Sequence, residues 1–249
     1  VSAAADGALC LWSAEGELLQ TINSHSGWVL QAVFSPDGKF IASGGDDHLI
    51  KLWTLDGELL QYFEGHQNWV RDLCFSPDGS CLMSASDDQN IHVWDFDGNL
   101  LDTLKGHRSS VLSLAVNAQG SQLVSASDDQ TIRLWQLEPH RGPTLTGHHG
   151  IIWDVCWQPE GCKLVSAGAD QTLRVWDPSA QDSLRQTIAG HNSSVHSVDW
   201  SPDGQMIASA SADHTVKLWT EDGQLLHTFQ GHHNEVWSVK FSPDGTYVA

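Results

Sequence analysis

The chain has 249 residues, with 12 Lys+Arg against 31 Asp+Glu and a formal net charge of −19. A surface this acidic repels phosphate backbones and anionic headgroups, so nucleic acid and membrane are excluded as default partners and basic partners are favoured. No run approaches the roughly 18 apolar residues of a membrane-crossing helix, and no signal peptide is visible.

The five cysteines, Cys10, Cys74, Cys81, Cys156 and Cys162, match no zinc or disulfide spacing. Most fall in apolar strand patterns, so they are expected to be buried free thiols, which suits a reducing, cytoplasmic setting. The first residue is Val, not Met, as expected of a piece of a longer protein.

Residues 1–12 end one strand and supply another: SAAAD, a turn, then GALCLW. A Glu15-Gly16 hairpin leads to an outer strand, and Ser24-His25 opens the first whole repeat. The second repeat shows the unit clearly. Trp69 to Phe75 forms an inner strand and Ser76-Pro-Asp-Gly79 a turn, with Pro presetting φ and Gly supplying a left-handed conformation. Ser80 to Ser86 is the next strand, Asp87-Asp88-Gln89-Asn90 a tight turn, and Ile91 to Trp94 the third strand. Asp97-Gly98 is a hairpin, and Leu100 to Leu104 the outer strand.

The Ser-Pro-Asp-Gly turn recurs at Ser35, Ser201 and Ser242 and drifts to Asn117-Ala-Gln-Gly120 and Gln158-Pro-Glu-Gly161. The outer turns Asp56-Gly57 and Asp222-Gly223 recur, whereas Glu138-Pro-His-Arg-Gly-Pro143 and Pro178 to Ser183 are irregular and expected at the rim. Turn signals every 8–12 residues between short strands mean an all-β fold.

Five whole copies of this unit and a sixth split between the chain ends recur every 41 residues, with one step of 43. A fixed period in this range marks a repeat architecture. Gly-His opening and Trp-Asp closing at this period resemble the WD-repeat β-propeller family. Only Trp94-Asp95 and Trp176-Asp177 keep the literal closing pair, and Ser24 replaces the first Gly.

The resemblance covers the whole chain. It implies one domain, 1–249: a β-propeller of four-stranded antiparallel blades built from six repeats. The N-terminal segment would complete the last blade and so remove open strand edges. The close similarity of the copies also resembles bacterial, particularly cyanobacterial, WD-repeat regions, which often sit within larger signalling or sensor proteins.

Each copy aligns a His, a Ser, an Asp and a Trp. The sets are His25, Ser43, Asp47 and Trp53; His66, Ser84, Asp88 and Trp94; His107, Ser125, Asp129 and Trp135; His148, Ser166, Asp170 and Trp176; and His191, Ser209, Asp213 and Trp219. In the sixth copy His232 is matched by Ser2, Asp6 and Trp12. The resemblance implies a hydrogen-bonded chain through each set, and the chemistry permits it, because imidazole and hydroxyl both donate and accept. Ser, His and Asp are also hydrolase-triad types, but their repetition and the lack of a Gly-x-Ser-x-Gly elbow favour a structural role. The pairs His148-His149 and His232-His233 have no Cys or carboxylate at ligand spacing, so neither a metal nor a cofactor is expected.

The copies differ most three and five residues after the repeat His. The first position reads Trp28, Trp69, Ser110, Ile151, Ser194, Glu235, and the second Leu30, Arg71, Leu112, Trp153, His196, Trp237. The resemblance places both at the mouth of the central channel, together with the residue before each turn Asp, namely Asp46, Asp87 and Asp128. Trp28, Trp69, Arg71, Trp153, His196, Glu235, Trp237, Asp46, Asp87 and Asp128 are therefore the candidate partner site. Trp faces and carboxylates both attract cations, and Trp and Arg dominate interface hot spots. Trp157 and Trp200 replace the Phe of the inner strand and are expected in the core.

The function expected is a non-catalytic scaffold for a protein or peptide, with basic ones favoured by the charge, within a larger signalling or regulatory protein; a small-molecule substrate is disfavoured. The alternatives are a structural spacer or oligomerisation module, and a propeller enzyme for which only His196 and Glu235 are inward candidates.

Overall fold

The computed structural model describes residues 1–137, 144–180 and 183–249. The irregular segment 138–143 and residues 181–182 of the longer fifth-repeat loop lie outside the described residues. All regular elements among the described residues are strands. The chain folds as two compact units, Val1–Leu114 and Ala115–Ala249.

In the first unit, β1 (Ser2–Ala3), β2 (Ala8–Trp12) and β3 (Leu18–Asn23) form a three-stranded sheet. β4 (Val29–Phe34), β5 (Phe40–Gly45), β6 (Ile50–Thr54) and β7 (Leu59–Phe63) form the next sheet, and β8 (Val70–Phe75), β9 (Leu82–Ser86), β10 (Asn90–Trp94) and β11 (Leu100–Lys105) the third. The division between units falls inside β12 (Val111–Val116), which pairs in order with β13 (Gln122–Ser127), β14 (Thr131–Gln136) and β15 (Thr144–Thr146). The second unit continues with β16 (Ile152–Trp157), β17 (Leu164–Gly168), β18 (Thr172–Trp176) and β19 (Leu184–Ala189). β20 (Val195–Trp200), β21 (Met206–Ser211), β22 (Val216–Thr220) and β23 (Leu225–Phe229) follow. Every sheet is a meander, with strands paired in chain order.

The turn chemistry explains the meander. In the Ser-Pro-Asp-Gly turn the Gly38 N–H closes onto the Ser35 carbonyl at 2.8 Å, and the Ser35 hydroxyl donates to Asp37 at 2.7 Å. In each whole repeat the turn after the second strand places a residue with positive φ directly after the network Asp: His48, Gln89, Gln130, Gln171 and His214, near 70°. That conformation costs a non-glycine residue ~1–2 kcal/mol. The Asp carboxylate bridges across it, as where Asp88 Oδ1 accepts the Asn90 N–H at 2.9 Å.

The core lies between successive sheets. Ala42, Ile50, Leu52 and Phe63 of the second sheet pack on Val70, Leu73, Phe75 and Trp94 of the third. In the second unit Val165, Leu173 and Val175 meet Val198, Trp200 and Ile207. Trp157 and Trp200 are 7% and 4% exposed, as core residues are.

Inner-strand carboxylates, which the sequence reading passed over, stitch neighbouring sheets together. Asp72 accepts from Gln31 Nε2 and the Leu114 N–H, both at 2.7 Å. Asp154 accepts from the Ser197 hydroxyl and the Val198 N–H at 3.0 Å, and Asp199 from the Phe241 N–H at 2.8 Å.

Two expectations need correction. Beyond β23 the sixth copy forms no regular strand; a Phe241–Val248 bridge, reciprocal Lys240–Ala249 backbone bonds, the Ser242–Gly245 turn and a bond from the Val236 N–H to the Ser211 carbonyl hold it. Val236 and Val239 are nonetheless buried against Ala208 and Ala210. The cysteines are all free, but Cys10, Cys74, Cys81 and Cys156 are only half-buried, and Cys162 is exposed because it sits beside the fourth-repeat turn rather than in a strand.

Candidate functional site

The repeated His, Ser, Asp and Trp meet within each sheet. In the third sheet the Trp94 Nε1–H donates to Ser84 Oγ at 2.8 Å, His66 Nε2 lies 2.7 Å from the same oxygen, and His66 Nδ1 lies 2.7 Å from Asp88. The geometry recurs for His25, Ser43, Asp47 and Trp53; for His148, Ser166, Asp170 and Trp176; and for His191, Ser209, Asp213 and Trp219. Trp135 likewise donates to Ser125 at 2.9 Å, and both His107 and Asp129 are engaged with their surroundings.

Electrostatics assigns the protons. Burial, the largest influence on Asp88, would raise its carboxyl, but hydrogen bonds from His66 and the Gln67 N–H outweigh it and hold it below the usual carboxylate range. Asp170 is held at about 2 against the same burial by the His149 N–H, Thr172 and His148. Burial also lowers His25, His148 and His191, only partly opposed by their aspartates. A neutral imidazole beside an ionised carboxylate must donate from Nδ1, so Nε2 accepts from Ser, whose oxygen accepts from Trp. Every polar atom of the chain is satisfied in one direction. The network serines of the five whole sets, Ser43, Ser84, Ser125, Ser166 and Ser209, are fully buried, as members of an internal hydrogen-bond chain are, whereas Ser2 of the split set is exposed.

The split copy is half assembled within its own unit. The Trp12 Nε1–H donates to Ser2 at 2.8 Å, and Asp6 accepts the Ala8 N–H at 3.0 Å. Trp12 is nevertheless 44% exposed, while the other closing tryptophans are buried. In the other unit His232 is exposed.

The described residues nearest to a metal set are His66, Asp88 and His92, whose ligand atoms lie within 4.8 Å of one another. They suit an ion poorly. Both His66 nitrogens are engaged, and the His66 and His92 rings stack at 4.0 Å and 8°, so their lone pairs run side by side instead of converging. His92 stands where other copies carry Lys51, Arg133, Arg174 and Lys217. Lys51 and Arg174 lie 3.6 Å from their network aspartates.

The candidate mouth residues form a cluster in each unit. The bridging feature is a β-bulge at the start of the inner strand. Val29 pairs with Gly45 but Gln31 with Gly44, so Leu30 is the extra residue. By the same count Arg71, Trp153 and His196 are bulged out of β8, β16 and β20. A bulge frees one side chain from the pleat and re-aims it, which is why bulges gather near binding sites. Backbone bonds from the Asp46 N–H to the Trp28 carbonyl and from the Asp87 N–H to the Trp69 carbonyl, both 3.0 Å, tie the first candidate position to the third.

In the first unit Trp28, 52% exposed, lies 6.2 Å from Trp69. Arg71 covers the Trp69 face at 4.8 Å and grips both oxygens of Asp87 at 2.8 and 2.7 Å. Asp46 is half-buried against Gly27, where a Cβ would collide with its carboxylate. In the second unit Trp153 stacks on His196 at 5.5 Å, and His196 meets Trp237 edge-on at 4.1 Å. Trp237 is 62% exposed. Trp153 Nε1 and His196 Nδ1 are buried without a partner. Burial lowers His196, and the nearby Glu235 charge opposes this. Asp128, half-buried, is engaged with its surroundings.

The model of the WD domain, G-beta repeat, matches residues 16–54, 57–95, 98–136, 141–177, 182–220 and 223–249. The chain belongs to the WD-repeat family. Its six sheets, one per repeat, are the blades of a propeller fold. Over 48 residues it is 42% identical to the nuclear distribution protein nudF of Emericella nidulans and, to the same extent, to the nuclear distribution protein PAC1-1 of Uncinocarpus reesii. Each match covers 19% of this chain and 11% of the relative, so the chain spans about a tenth of these proteins' length. WD repeats are generally protein-interaction scaffolds, and that is the function class the family membership carries.

Proposed function

We propose that this WD-repeat chain is a non-catalytic module that binds a cytoplasmic protein or peptide with basic character through its bulge-borne aromatic clusters, as part of a larger signalling or regulatory protein. The observation that carries this is the Trp153–His196–Trp237 ledge. It combines a Trp that is 62% exposed with two buried ring nitrogens lacking partners. A buried donor without a partner costs ~1–3 kcal/mol, so a ligand that reaches it gains more than surface contact. Glu235 beside the ledge and the charge of −19 favour a cationic ligand.

The experiment is capture from a lysate of the source organism, with bound proteins identified by mass spectrometry. A Trp28→Ala/Trp237→Ala variant of unchanged melting temperature is the control, since both side chains are exposed and their loss spares the core. A protein held by the parent and lost by the variant supports the reading. Equal capture by both refutes binding at these clusters, and no capture by either favours the spacer alternative.

A further inference from the structure

The opposite ends of the inner strands hold a second feature that the mouth does not explain. Between the Ser-Pro-Asp-Gly turns of the first and second repeats lies a cavity of about 330 Å3, lined by Pro36, Asp37, Phe40, Pro77, Asp78 and Phe96, among others. Its floor is aromatic. Phe96 meets Phe40 edge-on at 6.0 Å and stacks on Phe75 at 5.8 Å and 24°. Pro36 packs within 3.7 Å of where a Gly79 Cβ would stand, so each turn braces the next.

The aromatic pair is a local departure from the repeat. Where this repeat has Phe96, the first has Leu55 and the third Leu137; where the first has Phe40, the next copies have Cys81, Gln122 and Lys163. Two carboxylates stand at the edge of this floor. Hydrogen bonds from the Ser35 hydroxyl, Lys39 and its N–H hold Asp37 at about 2, and those from Ser76 and Ser80 lower Asp78. Asp37 shares its charge with Lys39 at 3.0 Å, yet the Lys39 side chain is 72% exposed and its grip is correspondingly weak.

The geometry points to a binding site, separate from the mouth clusters, for an arginine side chain of a partner polypeptide, its guanidinium lying on the Phe40–Phe96 floor and facing Asp37 and Asp78. A planar guanidinium stacks on aromatic faces and forks onto carboxylates, and its three methylenes suit the proline walls. A lysine supplies the charge without the plane, and an apolar side chain leaves the carboxylates unanswered. The acidity of the chain as a whole brings such a partner closer without selecting this cavity.

The test is titration of the 15N-labelled chain with the peptide Ac-Ser-Gly-Arg-Gly-Ser-NH2, followed by amide chemical shifts. The same peptide with citrulline, which keeps the shape and drops the charge, is the first control. Saturable shifts are expected at Gly38, Gly79 and Phe96, with citrulline binding at least about 5-fold weaker. Phe96→Leu, which installs the residue of the neighbouring repeats and keeps every charge, is expected to weaken binding by about 5-fold while its remaining spectrum is unchanged. Trp28→Ala/Trp237→Ala is expected to bind the peptide as the parent does, which separates this site from the mouth. Equal binding of the citrulline peptide, undiminished binding by Phe96→Leu, or shifts confined to other residues would each overturn the proposal.

Discussion

The two aromatic clusters use the same repeat positions and reach opposite states. In the first unit the bulged residues are Leu30 and Arg71, and Arg71 consumes what surrounds it: the face of Trp69 and both oxygens of Asp87. In the second unit the bulged residues are Trp153 and His196. They stack on each other, carry two buried ring nitrogens without partners, and support the exposed Trp237. One cluster has satisfied itself, whereas the other leaves two buried ring nitrogens without hydrogen-bond partners. Carboxylates and aromatics near each other therefore do not define a cation site; whether the protein has already supplied the cation does.

The largest test of this contrast is on affinity. Trp237→Ala is expected to cost at least ~2 kcal/mol of binding to the captured partner, as a hot-spot aromatic does, and Trp69→Ala under ~1 kcal/mol. Calorimetric titration of both variants measures it, and the reverse order would break the comparison.

The next effect is on folding and compares repeats. Asp88→Ala strands His66 Nδ1 and the Gln67 N–H and should lower stability by ~1–3 kcal/mol in denaturant unfolding. If the N-terminal segment completes the last blade as the sequence predicts, Asp6→Ala costs about as much. A silent Asp6→Ala would show that Asp6 holds only its own turn.

Acid should separate the clusters further. Burial depresses His196 below the ordinary histidine range, so it is neutral at pH 7 and gains a charge only as pH falls well below about 6.5. That charge opposes a cationic ligand on the second cluster. Partner affinity should thus fall on acidification, and Trp237→Ala should lack this dependence. Stability falls in the same direction. His25, His148 and His191 are depressed by burial, and His92 is pushed down to about 4, so the unfolded chain binds more protons below pH 6.5. The depressed network aspartates, which stabilise above the ordinary carboxylate range, lose their contribution only at lower pH still. A melting series from pH 7.5 to 4 should show a monotonic decline.

The smallest expected effect is a gain. Arg71→Ala releases the Trp69 face and Asp87, and should tighten binding of tetramethylammonium, read by Trp fluorescence, by about 3- to 5-fold, the scale of an exposed cation–π contact. No change would mean that the first cluster is closed to cations for some reason other than Arg71.

Much of this molecule was legible in its sequence because repetition averages out local ambiguity. A single Ser-Pro-Asp-Gly is a weak turn signal; the same tetrapeptide at one phase in four repeats sets strand ends, strand order and the all-β class. The alignment of His66, Ser84, Asp88 and Trp94 with four other whole sets likewise identified a polar network before any distance was known, since those side chains complement one another in donors and acceptors.

Tertiary structure alone decided the rest. That Arg71, Trp153 and His196 are bulged follows from a register slip against β9, β17 and β21, which the pattern within one strand does not encode. That Asp87 is spent on Arg71, that Asp72 and Asp154 stitch sheets together, and that Phe40 and Phe96 floor one cavity all depend on residues 16 to 56 positions apart meeting across turns and between blades. Sequence determined what each repeat is, because local periodicity and turn chemistry are short-ranged. Packing determined which of the repeated positions find partners within the protein, because that depends on the neighbours that reach each side chain.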